Sequence, residues 1–193
     1  MKITQVEVFH VHQRKNSGQR PVLVRIDTDE GIHGVGEAGV AYGVGGSAAA
    51  GMIKDLAGLI IGQDPFNTEF IWEKFLKKTF WGQGGGTIVF SGFSAIDMAL
   101  WDIKGKALGL PLYQLLGGKC RDDLRVYASQ IQFGWGPVRS AKGPTEEYVE
   151  EALKAVAEGY DAVKVDVLAL NRQGGKENVH LEGPLPNPVI RLG

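Results

Sequence analysis

The sequence predicts an α+β fold: a small antiparallel sheet, then a group of helices, then a shorter strand–helix–strand segment. Three observations carry this. Apolar residues alternate with polar ones in two short runs near the N-terminus, the period of half-buried strands. From Ser47 to Leu116 the apolar residues recur at helical spacing, punctuated by Gly62-Gln63-Asp64-Pro65 and Gly109-Leu110-Pro111. After Gly118 the rhythm changes again, with two β-branched runs flanking one amphipathic helix.

The elements follow in order. Ile3 to His12 alternates with one irregularity, and Val22, Val24 and Ile26 alternate with Leu23, Arg25 and Asp27. Asp29-Glu30-Gly31 is a turn into Ile32-His33-Gly34-Val35-Gly36-Glu37, so residues 3–38 read as a three-stranded antiparallel meander whose first loop is Asn16–Arg20. Ser47 is placed to cap a helix running to Ile61, with Met52, Ile53, Leu56, Leu59 and Ile60 on one side. A second helix covers Asn67 to Lys78. The glycine-rich stretch Phe80–Gly86 connects it to a long, mostly apolar helix over Ile88–Leu108, and Leu112–Leu116 is a helical turn.

Beyond Gly118, Leu124–Ser129 reads as a strand and Gly134–Gly143 as a loop. Thr145 precedes Glu146 and Glu147, acids suited to a helix N-terminus. Val149, Ala152, Leu153 and Val156 recur at helical spacing, Gly159 sits at the C-terminal cap, and Ala162–Leu168 is a strand. Strand, helix and strand in this order form one βα unit that feeds a parallel neighbour. A Gly- and Pro-rich stretch follows.

Composition narrows the function. In 193 residues, 21 Lys+Arg balance 22 Asp+Glu for a net charge of −1, so there is no basic excess to meet a phosphate backbone. One cysteine, Cys120, excludes an intrachain disulfide and a cysteine metal cluster. The N-terminus reads as strand and not as a signal peptide, and no apolar run reaches the ~20 residues of a membrane span. The expectation is a soluble cytoplasmic protein with neither nucleic acid nor membrane as partner.

The segment Val163-Lys164-Val165-Asp166-Val167 is the most informative. With period two, the valines share one face and Lys164 and Asp166 share the other. If both faces are covered, the valines pack on helices and the charged pair points into a barrel or cleft, where buried parallel strands end in sites. The same pattern fits a half-exposed strand carrying a surface ion pair. The glycines Gly31, Gly34 and Gly36 have the wrong spacing for a dinucleotide fingerprint and read as a tight strand and turn. Gly82–Gly86 lacks the Lys-Ser/Thr of a phosphate loop. His10 and His12 share a strand face that suits a metal, but no third ligand is near in sequence. Asp97 and Asp102 sit in the apolar helix beside Lys104 and Lys106, where carboxylates need ion pairs or caps.

Three runs carry a resemblance. Gly31-Ile32-His33-Gly34-Val35-Gly36-Glu37, Ala95-Ile96-Asp97-Met98-Ala99-Leu100-Trp101-Asp102-Ile103-Lys104-Gly105-Lys106, and Leu110-Pro111-Leu112-Tyr113-Gln114-Leu115-Leu116-Gly117-Gly118 resemble the mandelate racemase/muconate lactonizing branch of the enolase superfamily. The resemblance implies an α+β capping domain over residues 1–120 and the start of a (β/α) TIM-type barrel, truncated, over 121–193. It implies Mg²⁺, which stabilises the enediolate made when the proton alpha to a carboxylate is removed. The metal ligands of such proteins lie at the ends of the third, fourth and fifth barrel strands, so they are expected beyond Gly193, with none in this chain. A full barrel takes about 250 residues, so these 193 residues alone are expected to be inactive.

The resemblance also places residues. Many relatives carry Lys-x-Lys on the second barrel strand, where this chain has Lys164-Val165-Asp166. A carboxylate beside Lys164 favours the ammonium, a poor base, so the pair is expected to orient hydroxyls or assist the leaving group. The implied reaction is dehydration of a sugar acid, with Lys164 and Asp166 as catalytic residues and a small-molecule carboxylate as substrate. The alternatives are a cycloisomerase or racemase of the same branch, or a non-catalytic truncated paralogue that binds or dimerises. Two lids over the barrel mouth correspond to about Gln13–Arg20 and Ala38–Gly45, and Tyr42 in the second is the expected substrate contact. A homo-oligomer is the expected assembly.

Overall fold

A computed structural model describes residues 1–11, 20–40, 44–137, 140, 142, 145–165 and 189–191. They divide into two compact units, Met1–Cys120 and Arg121–Gly193.

In the first unit, β1 (Ile3–His10), β2 (Val22–Thr28) and β3 (His33–Ala38) form an antiparallel sheet in the order β1-β2-β3. The irregularity read in the first strand is a register shift between Ile3, opposite Thr28, and Gln5, opposite Asp27. Val22, Val24 and Ile26 on β2 are fully buried, and Leu23, Arg25 and Asp27 on the other face are half-buried. The buried face meets α1 (Gly46–Ile60) and α3 (Thr87–Leu108), with α2 (Thr68–Lys78) adding Ile71 and Phe75 to the same core. Phe93 is the aromatic hub, its ring centroid 5.1–5.7 Å from those of Phe75, Phe90 and Trp72. The short α4 (Leu112–Leu115) follows Pro111.

The capping residue of α1 differs from the expectation. Gly45 is the N-cap, without a side-chain cap bond, and Ser47 lies inside the first turn. A Cβ at Gly46 would come within 3.2 Å of the Arg20 carbonyl and 3.4 Å of Val22 Cγ2, so this helix start lies close against the chain entering β2.

The glycines of β3 exist for packing. A Cβ at Gly34 would stand 1.9 Å from the Ala99 carbonyl oxygen, and one at Gly36 would stand 1.9 Å from that of Ala95. Two strand residues rise about 6.6 Å and four helix residues about 6 Å, so the two glycines and the two alanines stay in step. Small residues on both sides bring β3 and α3 to backbone contact. Asp102 finishes the junction: its Oδ2 accepts from Val35 N–H (2.9 Å) and from Lys106 Nζ (2.7 Å), and Lys106 Nζ also donates to the His33 carbonyl (2.8 Å). β3 is an edge strand, and Asp102 takes an outward amide that no strand takes.

In the second unit, β4 (Ala128–Ser129) pairs in parallel with β5 (Ala162–Lys164), Ala128 opposite Val163 and Ser129 opposite Lys164. The strand expected over Leu124–Ser129 is thus only two residues long, because its ladder partner begins at Ala162; Leu124 and Val126 are exposed. A 3₁₀ turn (Ile131–Phe133) and α5 (Thr145–Ala157) complete the βα unit. Its core is Ala128, Ile131, Ala155 and Val163, flanked by Ala152, Val165, Trp135 and Tyr160. The helix turns Ala152 and Ala155 to the strands and leaves Val149, Leu153 and Val156 exposed. Glu151 occupies the buried side in their place, at 5% exposure, because three donors satisfy it. β6 (Val189–Arg191) lies antiparallel to β5, in a stretch read from the sequence only as Gly- and Pro-rich.

Candidate functional site

The geometry that gathers polar chemistry lies at the C-terminal ends of β4 and β5. Val163 is buried and Val165 half-buried in the small core, so the valine face of β5 packs as its period dictates. Lys164, facing the other way, is half-buried, and its Nζ lies 5.9 Å from the Tyr127 ring centroid, at the outer limit of a cation–π contact. Lys164, Ser129, Gln130 and Gln132 line a hollow of about 150 Å³. A site that encloses a whole small ligand needs roughly 300 Å³ or more, so this hollow is too small to enclose one. An ammonium, two amides and a hydroxyl suit an anionic, hydroxyl-rich molecule.

The turn after β4 is backbone-locked. Gln130 has φ +65°, the only non-glycine with positive φ among the described residues. Its carbonyl accepts from Phe133 N–H (3.0 Å), and Gly134 N–H donates to the Ile131 carbonyl (2.9 Å). Further on, Ser140 N–H donates to the Phe133 carbonyl (2.8 Å) and Lys142 N–H to the Gln132 carbonyl (2.9 Å). Glu151 ties this loop to α5: one carboxylate oxygen accepts from Trp135 N–H (2.6 Å), the other meets Lys154 Nζ (2.8 Å) and Lys142 Nζ (3.1 Å). The Lys154 bond, the Trp135 amide and then Lys142 outweigh the cost of burial and bring the Glu151 carboxyl down to about 2.

Of the residues expected from the sequence, the structure places Lys164 in this hollow; Asp166 and Tyr42 lie outside the described residues, as do most of the two lid segments. Ser129, Gln130 and Gln132 carry no motif. They reach the hollow because the parallel register sets Ser129 beside Lys164, and no local signal in the sequence reports that register. His10 is exposed at the end of β1, and His12 lies outside the described residues. Among the described residues no three His, Cys, Asp or Glu side chains converge as a metal would require, so these residues do not fit a magnesium site. No described helix is long and apolar enough to cross a membrane.

The helix carboxylates behave differently from each other. Asp102 is paired as above, whereas burial pushes the Asp97 carboxyl above its usual range, Glu69 adds to the rise and Lys104 offsets it. Lys104 itself donates to Thr68 Oγ1 (2.9 Å) and sits 4.5 Å from the Trp101 ring centroid. A second hollow, on α2, is lined by Phe70, Glu73 and three lysines. Two of these are engaged, Lys74 with the Leu59 carbonyl (2.6 Å) and Lys77 with Glu73.

A three-stranded antiparallel sheet packed with helices is the arrangement of an enolase-type capping domain. The mandelate racemase / muconate lactonizing enzyme N-terminal domain matches residues 3–117, and the chain belongs to that family. It is 38% identical over 149 residues to the D-mannonate dehydratase of Caulobacter vibrioides, covering 77% of this chain and 34% of that one. A crystal structure from Zymomonas mobilis, assigned as a dehydratase, is 74% identical with a TM-score of 0.87, over 96% of this chain and 47% of that one. An enolase of Pantoea ananatis, solved with D-gluconate and magnesium, is 34% identical with a TM-score of 0.70, over 86% of this chain and 36% of that one. The chain therefore spans about a third of the curated relative and just under half of the Zymomonas chain.

Proposed function

We propose that these residues supply the capping domain (1–120) and the first barrel strands (121–193) of a cytoplasmic, homo-oligomeric dehydratase of sugar acids. The observation that carries the reading is the half-buried Lys164 ammonium at the end of a parallel strand, in one hollow with Ser129, Gln130 and Gln132. The sugar-acid names of the Caulobacter and Pantoea relatives support the substrate class. A single cysteine fits a reducing compartment.

Dehydration removes the proton from C2, expels the C3 hydroxyl as water, and leaves an enol that tautomerises to a 2-keto-3-deoxy acid. The chain's own residues serve that chemistry by position. Lys164 holds an anionic or hydroxyl oxygen of the substrate through its ammonium. Asp166, two residues on in the sequence, is assigned to orient the leaving hydroxyl and help its proton transfer. Tyr42, in the lid segment, is the residue we expect to contact the substrate. Magnesium, present in the Pantoea relative, is the cofactor expected of the whole enzyme.

The test is turnover by the complete gene product, supplied with magnesium, on D-mannonate, D-gluconate and their epimers, with the keto acid product measured. Asp166→Asn is expected to lower turnover about 100-fold, the scale of a positioned proton-transfer group, and Lys164→Met to lower activity by removing the substrate's cationic partner and stranding a carboxylate. Wild-type protein that forms keto acid from none of these acids overturns the reading. An epimerised acid in place of the keto acid assigns the racemase alternative. Near-normal kinetics in both variants return Lys164 and Asp166 to a surface ion pair.

A further inference from the structure

We infer that Glu151 is a positioning residue of this site: from α5 it holds the loop wall of the hollow in place against the strand wall that carries Lys164; the inference rests on the dehydratase reading above. The hollow has two walls. Ser129 and Lys164 stand side by side on β4 and β5. Gln130 and Gln132 belong to the turn that follows β4, and Gln132 is 4% exposed. The width of the hollow therefore depends on where that turn lies, whether or not either glutamine touches a ligand.

Lys142 is the node through which α5 reaches that wall. Its N–H donates to the Gln132 carbonyl (2.9 Å), its own carbonyl accepts from the Tyr148 hydroxyl on α5 (3.2 Å), and its Nζ meets Glu151 (3.1 Å). The Gln132 backbone is thus one hydrogen bond away from a residue that α5 grips twice. Glu151 grips the turn again at Trp135 N–H (2.6 Å). Gly134 leaves the room for this closure: a Cβ there would stand 3.1 Å from Lys142 Cε and 3.8 Å from the Glu151 carboxyl carbon, on a backbone at φ +83° that suits glycine. Stability alone does not call for an ion here. The neighbours of Glu151 on the buried side of α5 are Ala152 and Ala155, and apolar side chains in place of a buried ion pair are often neutral or stabilising. A carboxylate adds direction, since charge-assisted hydrogen bonds fix their partners in distance and angle where an apolar contact lets a loop slide. A wall held in advance does not have to be ordered when the ligand binds.

The experiment measures kcat and KM on the preferred sugar acid for the complete gene product and its variants, with amide exchange at Phe133 and Gly134 read in parallel. Lys142→Met cuts the ionic tie from the loop. Lys154→Met removes a partner of Glu151 that lies on the same helix, and leaves the tie in place. Lys142→Met is expected to raise KM about tenfold, since groups held in advance must now be ordered on binding, with kcat little changed and faster exchange at both amides. Lys154→Met should melt lower yet keep the wild-type KM. Glu151→Gln should raise KM at least as much as Lys142→Met, and Lys142→Arg, which keeps a cation, should recover most of the loss. A merely structural role would make KM follow the melting temperature. Equal KM changes in Lys142→Met and Lys154→Met, or an unchanged KM in a folded Lys142→Met, therefore overturn the inference and leave the dehydratase reading standing. Wild-type protein active on no sugar acid overturns both.

Discussion

Replacing Gly36 with alanine tests the contact that sets the geometry of the first unit. The added Cβ would stand 1.9 Å from the Ala95 carbonyl oxygen, 2.9 Å from its carbon and 3.2 Å from Ala99 N. Both sides are backbone, so no rotamer relieves the overlap, and α3 must retreat by about 1.5 Å to reach an ordinary contact distance; a gap of roughly 0.5–1 Å already forfeits a quarter to a half of the dispersion energy of each contact. The helix carries Ile96, Ala99, Leu100 and Ile103 fully buried against the sheet and α1, and all would lose contact together. The upper end of the overpacking range, about 3 kcal/mol, is the expected cost. Removing a glycine from a strand returns roughly 0.5–1 kcal/mol, which leaves a net loss of about 2 kcal/mol, a large part of a domain's stability. Urea unfolding of the chain, followed by helical circular dichroism, reads it directly. Gly39→Ala is the control, since a Cβ there meets nothing within 4 Å. Equal midpoints for the two variants would refute the close-approach argument.

Two further outcomes follow from the ion pairs. Glu151→Gln should destabilise the second unit by about 2 kcal/mol, since it weakens charge-assisted bonds to a buried acceptor, seen as faster amide exchange at Ala128 to Phe133. The folded carboxyl sits near 2 against an ordinary 4.5, so the unfolded chain binds the extra proton between those values. The stabilisation is therefore full above about pH 5 and drains away as pH falls toward 2; wild-type exchange stability that stays flat across that window would contradict the assignment. Asp102→Ala strips the Val35 amide and Lys106 of their acceptor. Because both side chains are partly exposed, the cost should be about 1 kcal/mol, measured as a lower urea midpoint; an unchanged midpoint would show that the pair does not hold α3 to the sheet edge.

The sequence by itself determined what depends on local period and punctuation. Alternation in Val22–Thr28 and helical spacing in the three long helices each follow from a backbone geometry that repeats every 2.0 or 3.6 residues, and they appear where expected. The burial of Val163 was legible for the same reason. Tertiary structure decided what depends on which segments meet. Gly34 and Gly36 read as a strand and turn, yet the nearness of Ala95 and Ala99, some sixty residues on, explains the absence of a side chain. The spacing of Val149, Leu153 and Val156 is helical, but only packing showed that alanines and Glu151 face the strands, because a carboxylate can be buried once Trp135 and Lys142 from the preceding loop join Lys154 of its own helix as donors. The hollow is a matter of register: Ser129 stands beside Lys164 because two parallel strands slid to that alignment, and Gln130 is left-handed because bonds on both sides of the turn hold it so. Such pairings are non-local, and no window of neighbouring residues contains the energy that fixes them.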